Sequence, residues 1–168
     1  MSQPAQPVPP AYGAIPYLTI RNAGDAIAYY QRTFGAEVVA RLADPSGGIV
    51  HAELKVGPAS FMLSEERPEM NALSPLAIGG TASTVVFFVP DCDAVYNRAI
   101  ASGAKSTMPL MDQFWGDRSG GFIDPFGHSW MVSTQKEKLD NDELQQRFQA
   151  AMAAMAAGGG CGEGAPQG

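Results

Sequence analysis

The feature that most constrains this chain is an internal duplication. Asp25-Ala26-Ile27 opens a segment that closes at Gly35-Ala36, and Asp93-Ala94-Val95 opens another that closes at Gly103-Ala104, so 25 and 93 are 68 positions apart. Self-similarity at a fixed spacing means one supersecondary unit used twice. Each segment fits a three-turn helix. Asp25 and Asp93 stand where a carboxylate meets free N–H groups and the positive end of the helix dipole. Gly35 and Gly103 stand where a left-handed residue closes the last turn. The flanks repeat as well. Ile15 to Ile20 precedes the first helix and Ser83 to Val89 the second, and both are β-rich. Later, Phe61-Met62-Leu63-Ser64 is echoed by Trp130-Met131-Val132-Ser133. Each half is therefore predicted to run strand, helix, then sheet, as a βαβββ module in an α+β domain.

Between these landmarks, Glu37 to Ala43, Ile49 to Val56 and Ala59 to Ser64 read as strands of the first half. They are separated by the turn residues Asp44-Pro45-Ser46-Gly47-Gly48 and Gly57-Pro58. In the second half Lys105 to Met111 is a strand. Gly120 to Asp124 and His128 to Thr134 form a hairpin across Pro125-Phe126-Gly127. Residues 65–81 read as the loop joining modules at about 13–65 and 82–134, within a domain of residues 13–138. Pro-rich residues 1–12 read as a disordered arm and Gly-rich residues 158–168 as a disordered tail. A helix is predicted within 139–157, with Asp142 and Glu143 in its first turn. Leu144, Phe148, Met152 and Met155 form one stripe, read as packing against the body or a second subunit.

Composition removes several function classes. A net charge of -6 disfavours a non-specific nucleic-acid binder, which needs a basic surface to release counterions. No apolar run is long enough to span a bilayer, and residues 1–10 have neither a basic nor an apolar region of a secretory signal. Cys92 and Cys161 do not form a disulfide framework, so a cytoplasmic location is expected. No Gly-x-Ser-x-Gly elbow, phosphate loop or paired-cysteine zinc motif occurs. Gly120-Gly121 lacks the strand–glycine–helix setting of a dinucleotide site.

Ile15-Pro-Tyr-Leu-Thr-Ile-Arg-Asn22, Ala26-Ile-Ala-Tyr-Tyr30, Phe34-Gly35-Ala36, Ile49-Val-His-Ala-Glu-Leu54 and Asp124-Pro-Phe-Gly-His-Ser-Trp-Met131 together resemble the vicinal oxygen chelate (glyoxalase/bleomycin resistance/dioxygenase) superfamily. Phe114-Trp-Gly-Asp-Arg118 is similar to its PhnB-like branch. The resemblance covers about residues 12–138. It implies tandem modules forming a half-barrel sheet whose concave face makes a ligand or metal cavity, and it implies a homodimer. Metal-using members take four ligands, one from the first strand and one from a later strand of each module. The resemblance puts Ile15, Glu53, Thr84 and Met131 there. Glu53 is the one good donor for a hard divalent ion; isoleucine cannot coordinate and methionine suits softer ions. A catalytic zinc site needs about three protein ligands. No cofactor is therefore expected and a divalent metal is disfavoured, which argues against glyoxalase I and extradiol dioxygenase chemistry.

Strand alternation supplies a second reading of the same region. In Ile49 to Val56, the residues Val50, Ala52, Leu54 and Val56 share one face and His51, Glu53 and Lys55 the other. With Glu53 on the cavity side, Tyr17, Thr19 and Arg21 line it from the first strand, Thr84, Val86 and Phe88 from the fifth, and Ser129, Met131 and Ser133 from the last. This mixed lining suits an organic ligand. His51 and Glu53 are a base and partner within reach of one ligand, or a solvated polar pair. Trp115 is a stacking wall with Asp117 or Arg118 orienting a polar group, or the loop is locked by an Asp117–Arg118 pair. His128, Tyr29, Tyr30, Phe34 and Cys92 read as structural. Three functions stay open. The first is a metal-independent small-molecule binding protein similar to the bleomycin-resistance members, with ligand-binding Tyr17, Arg21, His51, Glu53, Phe88, Trp115, Asp117, Arg118 and Met131. The second is a lyase or isomerase using Glu53 and His51. The third is a structural or regulatory dimer.

Overall fold

The computed structural model describes residues 14–158, so the arm, the tail and Cys161 lie outside the described residues. The chain runs β1 (Tyr17–Ile20), α1 (Ala23–Phe34), β2 (Glu37–Ala43), β3 (Ile49–Val56) and β4 (Ala59–Glu65). After a 3₁₀ turn at Pro68–Met70 and a short helix α2 (Pro75–Ile78), it repeats the pattern. There follow β5 (Thr84–Phe88), α3 (Cys92–Ala101), β6 (Lys105–Asp112), β7 (Asp117–Ile123) and β8 (Ser129–Gln135). Helix α4 (Asn141–Gly158) closes the described chain. The strands form two four-stranded sheets, ordered β1-β4-β3-β2 and β5-β8-β7-β6. In each, the first strand joins the last in parallel and the others pair antiparallel. The fold is thus α+β, with tandem βαβββ modules and a C-terminal helix. No helix among the described residues is long and apolar enough to cross a membrane.

In β1, α1 and β4 the spatial repeat runs at 69 residues, one more than the helix-end match, while β2 and β3 recur at 68 (37 to 105, 55 to 123). Tyr17 pairs with Met62 and Val86 with Met131, so both members shift by 69 (17 to 86, 62 to 131). The buried face of α1, Ala23, Ala26, Ile27 and Tyr30, recurs at Cys92, Val95, Tyr96 and Ala99, again at 69. The caps consequently differ from the sequence expectation. Asp91, not Asp93, caps α3, accepting from the Ala94 amide at 2.9 Å. Helix α1 has no side-chain cap of its own, and Asn22 sits left-handed at φ 64°. The Glu65 carboxylate at the end of β4 instead accepts from the Asn22 and Ala23 amides at 2.7 and 2.9 Å. Asp25 and Asp93 lie inside the first turns, where they favour the dipole without closing the helix end. At the other end Gly35 is left-handed (φ 68°), and the amides of Gly35 and Ala36 return to Gln31 and Tyr30.

One aromatic core serves both modules. Trp130 of β8 is fully buried, with its ring centre 4.9 Å from Phe34, 5.3 Å from Phe87, 5.4 Å from Tyr30 and 5.6 Å from Phe61. Asp124, at the β7–β8 turn, places a buried carboxylate in this apolar setting. One oxygen accepts from Tyr30 Oη at 2.7 Å and Trp130 Nε1 at 2.8 Å, and the other from the Phe126 and His128 amides, both at 2.9 Å. A buried charge survives only when so satisfied. On the same turn His128 Nε2 lies 3.2 Å from the Thr19 carbonyl of β1, so a protonated Nε2 is the donor there. In β7, Gly120 lets α3 approach closely, because a Cβ there would sit 2.7 Å from the Tyr96 ring.

Two outcomes follow from this core. Asp124→Ala strands the Tyr30 hydroxyl and the Trp130 indole N–H without an acceptor, and should cost about 3–5 kcal/mol in urea unfolding; a loss under about 1 kcal/mol would show the network to be dispensable. Burial holds the His128 imidazolium pKa below its ordinary 6.5, against the opposing pull of Asp124. The unfolded chain then takes the proton first, so this contribution is complete above 6.5 and is lost as pH falls toward the lower folded value. Unfolding measured at roughly pH 7.5 and pH 5.5 should show a smaller acid loss in His128→Gln than in the unsubstituted chain.

Candidate functional site

Each sheet buries one face on the shared core and leaves the other open. On β3, Ala52 and Leu54 are fully buried while His51 and Glu53 are half-buried and Lys55 is exposed on the outer face. Val50 departs from the expected alternation: it is 44% exposed and Ile49 is buried in its place. The β2–β3 register shifts between Leu42 and Ala43, opposite the start of β3, and such an irregularity turns the pleat locally.

The outer face of the first sheet gathers Tyr17, Thr19 and Arg21 with His51 and Glu53. Tyr17 Oη and His51 Nδ1 are 3.4 Å apart and their ring centres 5.9 Å, so the two rings form one tilted surface. Leu42 pairs with His51 across the ladder and is 61% exposed, an apolar neighbour that sequence reasoning missed. Its signal was the same alternation, applied one strand earlier. Arg21 is engaged, donating from Nε to Glu66 at 3.0 Å. The Ser74 hydroxyl and amide, with Arg21, hold the Glu66 carboxyl below the usual carboxylate range.

The outer face of the second sheet carries Thr84, Val86, Phe88, Ser129 and Met131. Phe88 is 63% exposed and Val86 and Met111 are also open. Ser119 and Ser133 are buried on this face and share a hydroxyl hydrogen bond at 2.7 Å. Asp117 lies at its end, where its carboxylate accepts from Trp115 Nε1 at 3.1 Å.

Trp115 and Arg118 sit elsewhere than the expected wall. Trp115 lines a cleft of about 340 Å³ against α4, with Phe114, Asn141, Leu144, Gln145 and Phe148. Phe114 touches Trp115 at 5.0 Å and Phe148 at 5.6 Å between ring centres. Arg118 projects from the opposite side of β7 toward α3. Its Nε and one terminal nitrogen each donate to the Asp93 carboxylate at 2.7 Å, and its other terminal nitrogen reaches Asp112 at 3.3 Å. The Asp117–Arg118 pair weighed from sequence does not form, because neighbours in a strand point to opposite faces. Tyr17, Arg21, His51 and Glu53 therefore share one face, Phe88, Met131 and Asp117 another, and Arg118 belongs to neither.

The four positions that the family resemblance implies for a metal do not fit one here. Ile15 offers no donor, Thr84 Oγ1 is engaged with Ser129 Oγ at 2.9 Å, and Met131 presents a thioether. Glu53 alone supplies an anionic oxygen. No group of three or more His, Cys, Asp or Glu among the described residues is placed to hold a metal ion.

A doubled βαβββ unit with open sheet faces defines the class of this protein, and comparison with known proteins agrees. The family model of the Glyoxalase/Bleomycin resistance protein/Dioxygenase superfamily matches residues 14–132, and the chain belongs to that superfamily. It is similar to Rv0887c of Mycobacterium tuberculosis (strain ATCC 25618 / H37Rv), 36% identical over 133 residues covering 77% of this chain and 78% of that one. It also resembles the crystal structure of PA1353 from Pseudomonas aeruginosa, with 26% identity, TM-score 0.62, 76% of this chain and 100% of that one. The structure of a bleomycin resistance determinant encoded on transposon Tn5 shares the fold, with 22% identity, TM-score 0.55 and coverage of 76% and 100%.

The contact between Phe114 and Phe148 shields the half-buried Trp115. Phe148→Ala should shift tryptophan emission to the red, since Trp130 is fully buried and does not respond. The same substitution in a Trp115→Phe background should give no shift; a persisting shift would place the change elsewhere.

Proposed function

We propose that this chain is a metal-independent small-molecule binding protein that works as a homodimer, each binding cleft closed by the outer sheet faces of two subunits. The observation that carries the reading is the character of those faces. Tyr17, Leu42, Val86, Phe88 and Met111 are each more than two-fifths exposed. They share the outer faces with polar groups at His51, Glu53 and Thr84. Exposed apolar surface of this kind marks an interaction site, and a mixed aromatic, aliphatic and polar lining suits an organic ligand more than an ion. Glu53, in a chain of net charge -6, favours a cationic and planar ligand. One anionic donor among the four family positions supports binding without a metal. The bleomycin resistance determinant encoded on Tn5, which shares this fold, is consistent with drug sequestration. A buried free Cys92 fits a reducing cytoplasm.

Titration with the planar cation berberine after exhaustive treatment with chelator tests this. Saturable binding that survives metal removal, weakens about tenfold in Glu53→Gln, and accompanies a dimer in sedimentation would agree. Phe88→Asp should weaken both the dimer and the binding. Stoichiometric divalent metal after purification, with chemistry dependent on Glu53 and His51, would instead favour a lyase or isomerase. A dimer that binds no probe, and is indifferent to Glu53→Gln, would favour a structural or regulatory role.

A further inference from the structure

The two modules are not equal where each turn meets the other module's helix. In one direction, Phe126 of the β7–β8 turn packs on α1, its ring centre 5.8 Å from Tyr29 and 6.2 Å from Tyr30. The 69-residue repeat puts Arg98 at the place of Tyr29 (29 to 98) and Ala99 at the place of Tyr30 (30 to 99). The matching turn of the first module is also shorter. Val56 pairs with Ala59 across Gly57-Pro58, whereas Asp124 and His128 enclose Pro125-Phe126-Gly127. The residue without a counterpart is the plugging phenylalanine. Where the second module fills its junction with three rings, the first leaves a cavity of about 490 Å³. Phe34, Val56, Pro58, Val95 and the outer-face residue Phe88 give it apolar walls, and Arg98 also lines it.

Arg98 is poised for an anion. Its Nε donates to the Thr33 carbonyl at 3.1 Å, which fixes the guanidinium plane. No carboxylate among the described residues pairs with it. Asp91 also borders the cavity, but its carboxylate is turned to the Ala94 amide, and seven helical positions, about 10 Å, separate it from Arg98. We infer that this junction is a second ligand site, meeting the outer sheet faces only at Phe88, for a small aromatic carboxylate: the ring takes the space that Phe126 fills in the other half, and the carboxylate meets Arg98. A planar fork matches a carboxylate in two parallel hydrogen bonds.

Calorimetric titration of the full chain with 2-naphthylacetate, beside the neutral 2-naphthaleneethanol, tests the site. One saturable event per chain is expected, at least about tenfold weaker for the neutral probe and about tenfold weaker in Arg98→Gln. Ala94→Phe, which returns a ring to the cavity, should abolish binding, and Glu53→Gln should leave it unchanged. Thermal melts establish that the variants are folded, and Pro58→Phe provides a second plug should Ala94→Phe unfold. Equal affinity for the two probes, or binding untouched by Arg98→Gln and by a folded plug variant, would overturn the inference. So would loss of naphthylacetate binding in Glu53→Gln, which would put the probe on the outer face; failure of berberine binding bears only on that face.

Discussion

A single buried carboxylate organises this molecule. Asp124 lies among aromatic rings, where an unsatisfied charge is intolerable, and its four hydrogen bonds come from three structural units: a helix of the first module, a strand of the second, and its own turn. The Tyr30 hydroxyl is drawn to that carboxylate, and burial beside it pushes the phenol pKa far above its ordinary value. Trp130, held by the same oxygen, then fixes where Phe34, Phe61 and Phe87 pack. Neither module owns this core. Because the inward faces are consumed by joining the two halves, the outward faces of both sheets stay open.

This division explains why the outer faces carry such mixed chemistry. A strand with one face in a core must place apolar residues there, as at Ala52, Leu54, Val132 and Trp130. The alternate positions are free to diverge, and after duplication they did. The first face holds tyrosine, histidine and glutamate, and the second holds valine, phenylalanine and methionine. The same freedom at the two turns left one junction plugged by Phe126 and the other open beside Arg98. Similar backbones thus present four unlike surfaces.

Much of this was legible in the sequence, because it rests on short-range rules. The repeat, the turns at Gly57-Pro58 and Pro125-Phe126-Gly127, the alternation that puts Ala52 and Leu54 inside, and the left-handed Gly35 all follow from local periodicity and backbone sterics. What escaped depends on distant partners or on register. Asp93 resembles a cap by its place in the repeat, yet Asp91 does that work; the 69-residue spacing of Phe61 and Trp130 already signals the shift, and the ladder extends it to β1 and β5. Arg118 was grouped with Asp117 by adjacency, although adjacent strand residues diverge, and its true partner is 25 positions away. Trp115 was assigned to the cavity without knowledge that α4 would lie beside it. The bulge that exposes Val50 has no local signature in Ala43 to Val50.

The carboxylate at the start of α1 has a bearing on how the chain comes together. That helix lacks a cap of its own, and the group that satisfies its first amides sits 42 and 43 positions downstream on β4. While the polypeptide emerges from the ribosome, the helix has its apolar stripe and its left-handed glycine, but its leading end stays open to water. It becomes a settled helix only when the hairpin behind it has been made and has folded back alongside β1. The start of the first helix and the end of the module's last strand are thus secured by the same contact.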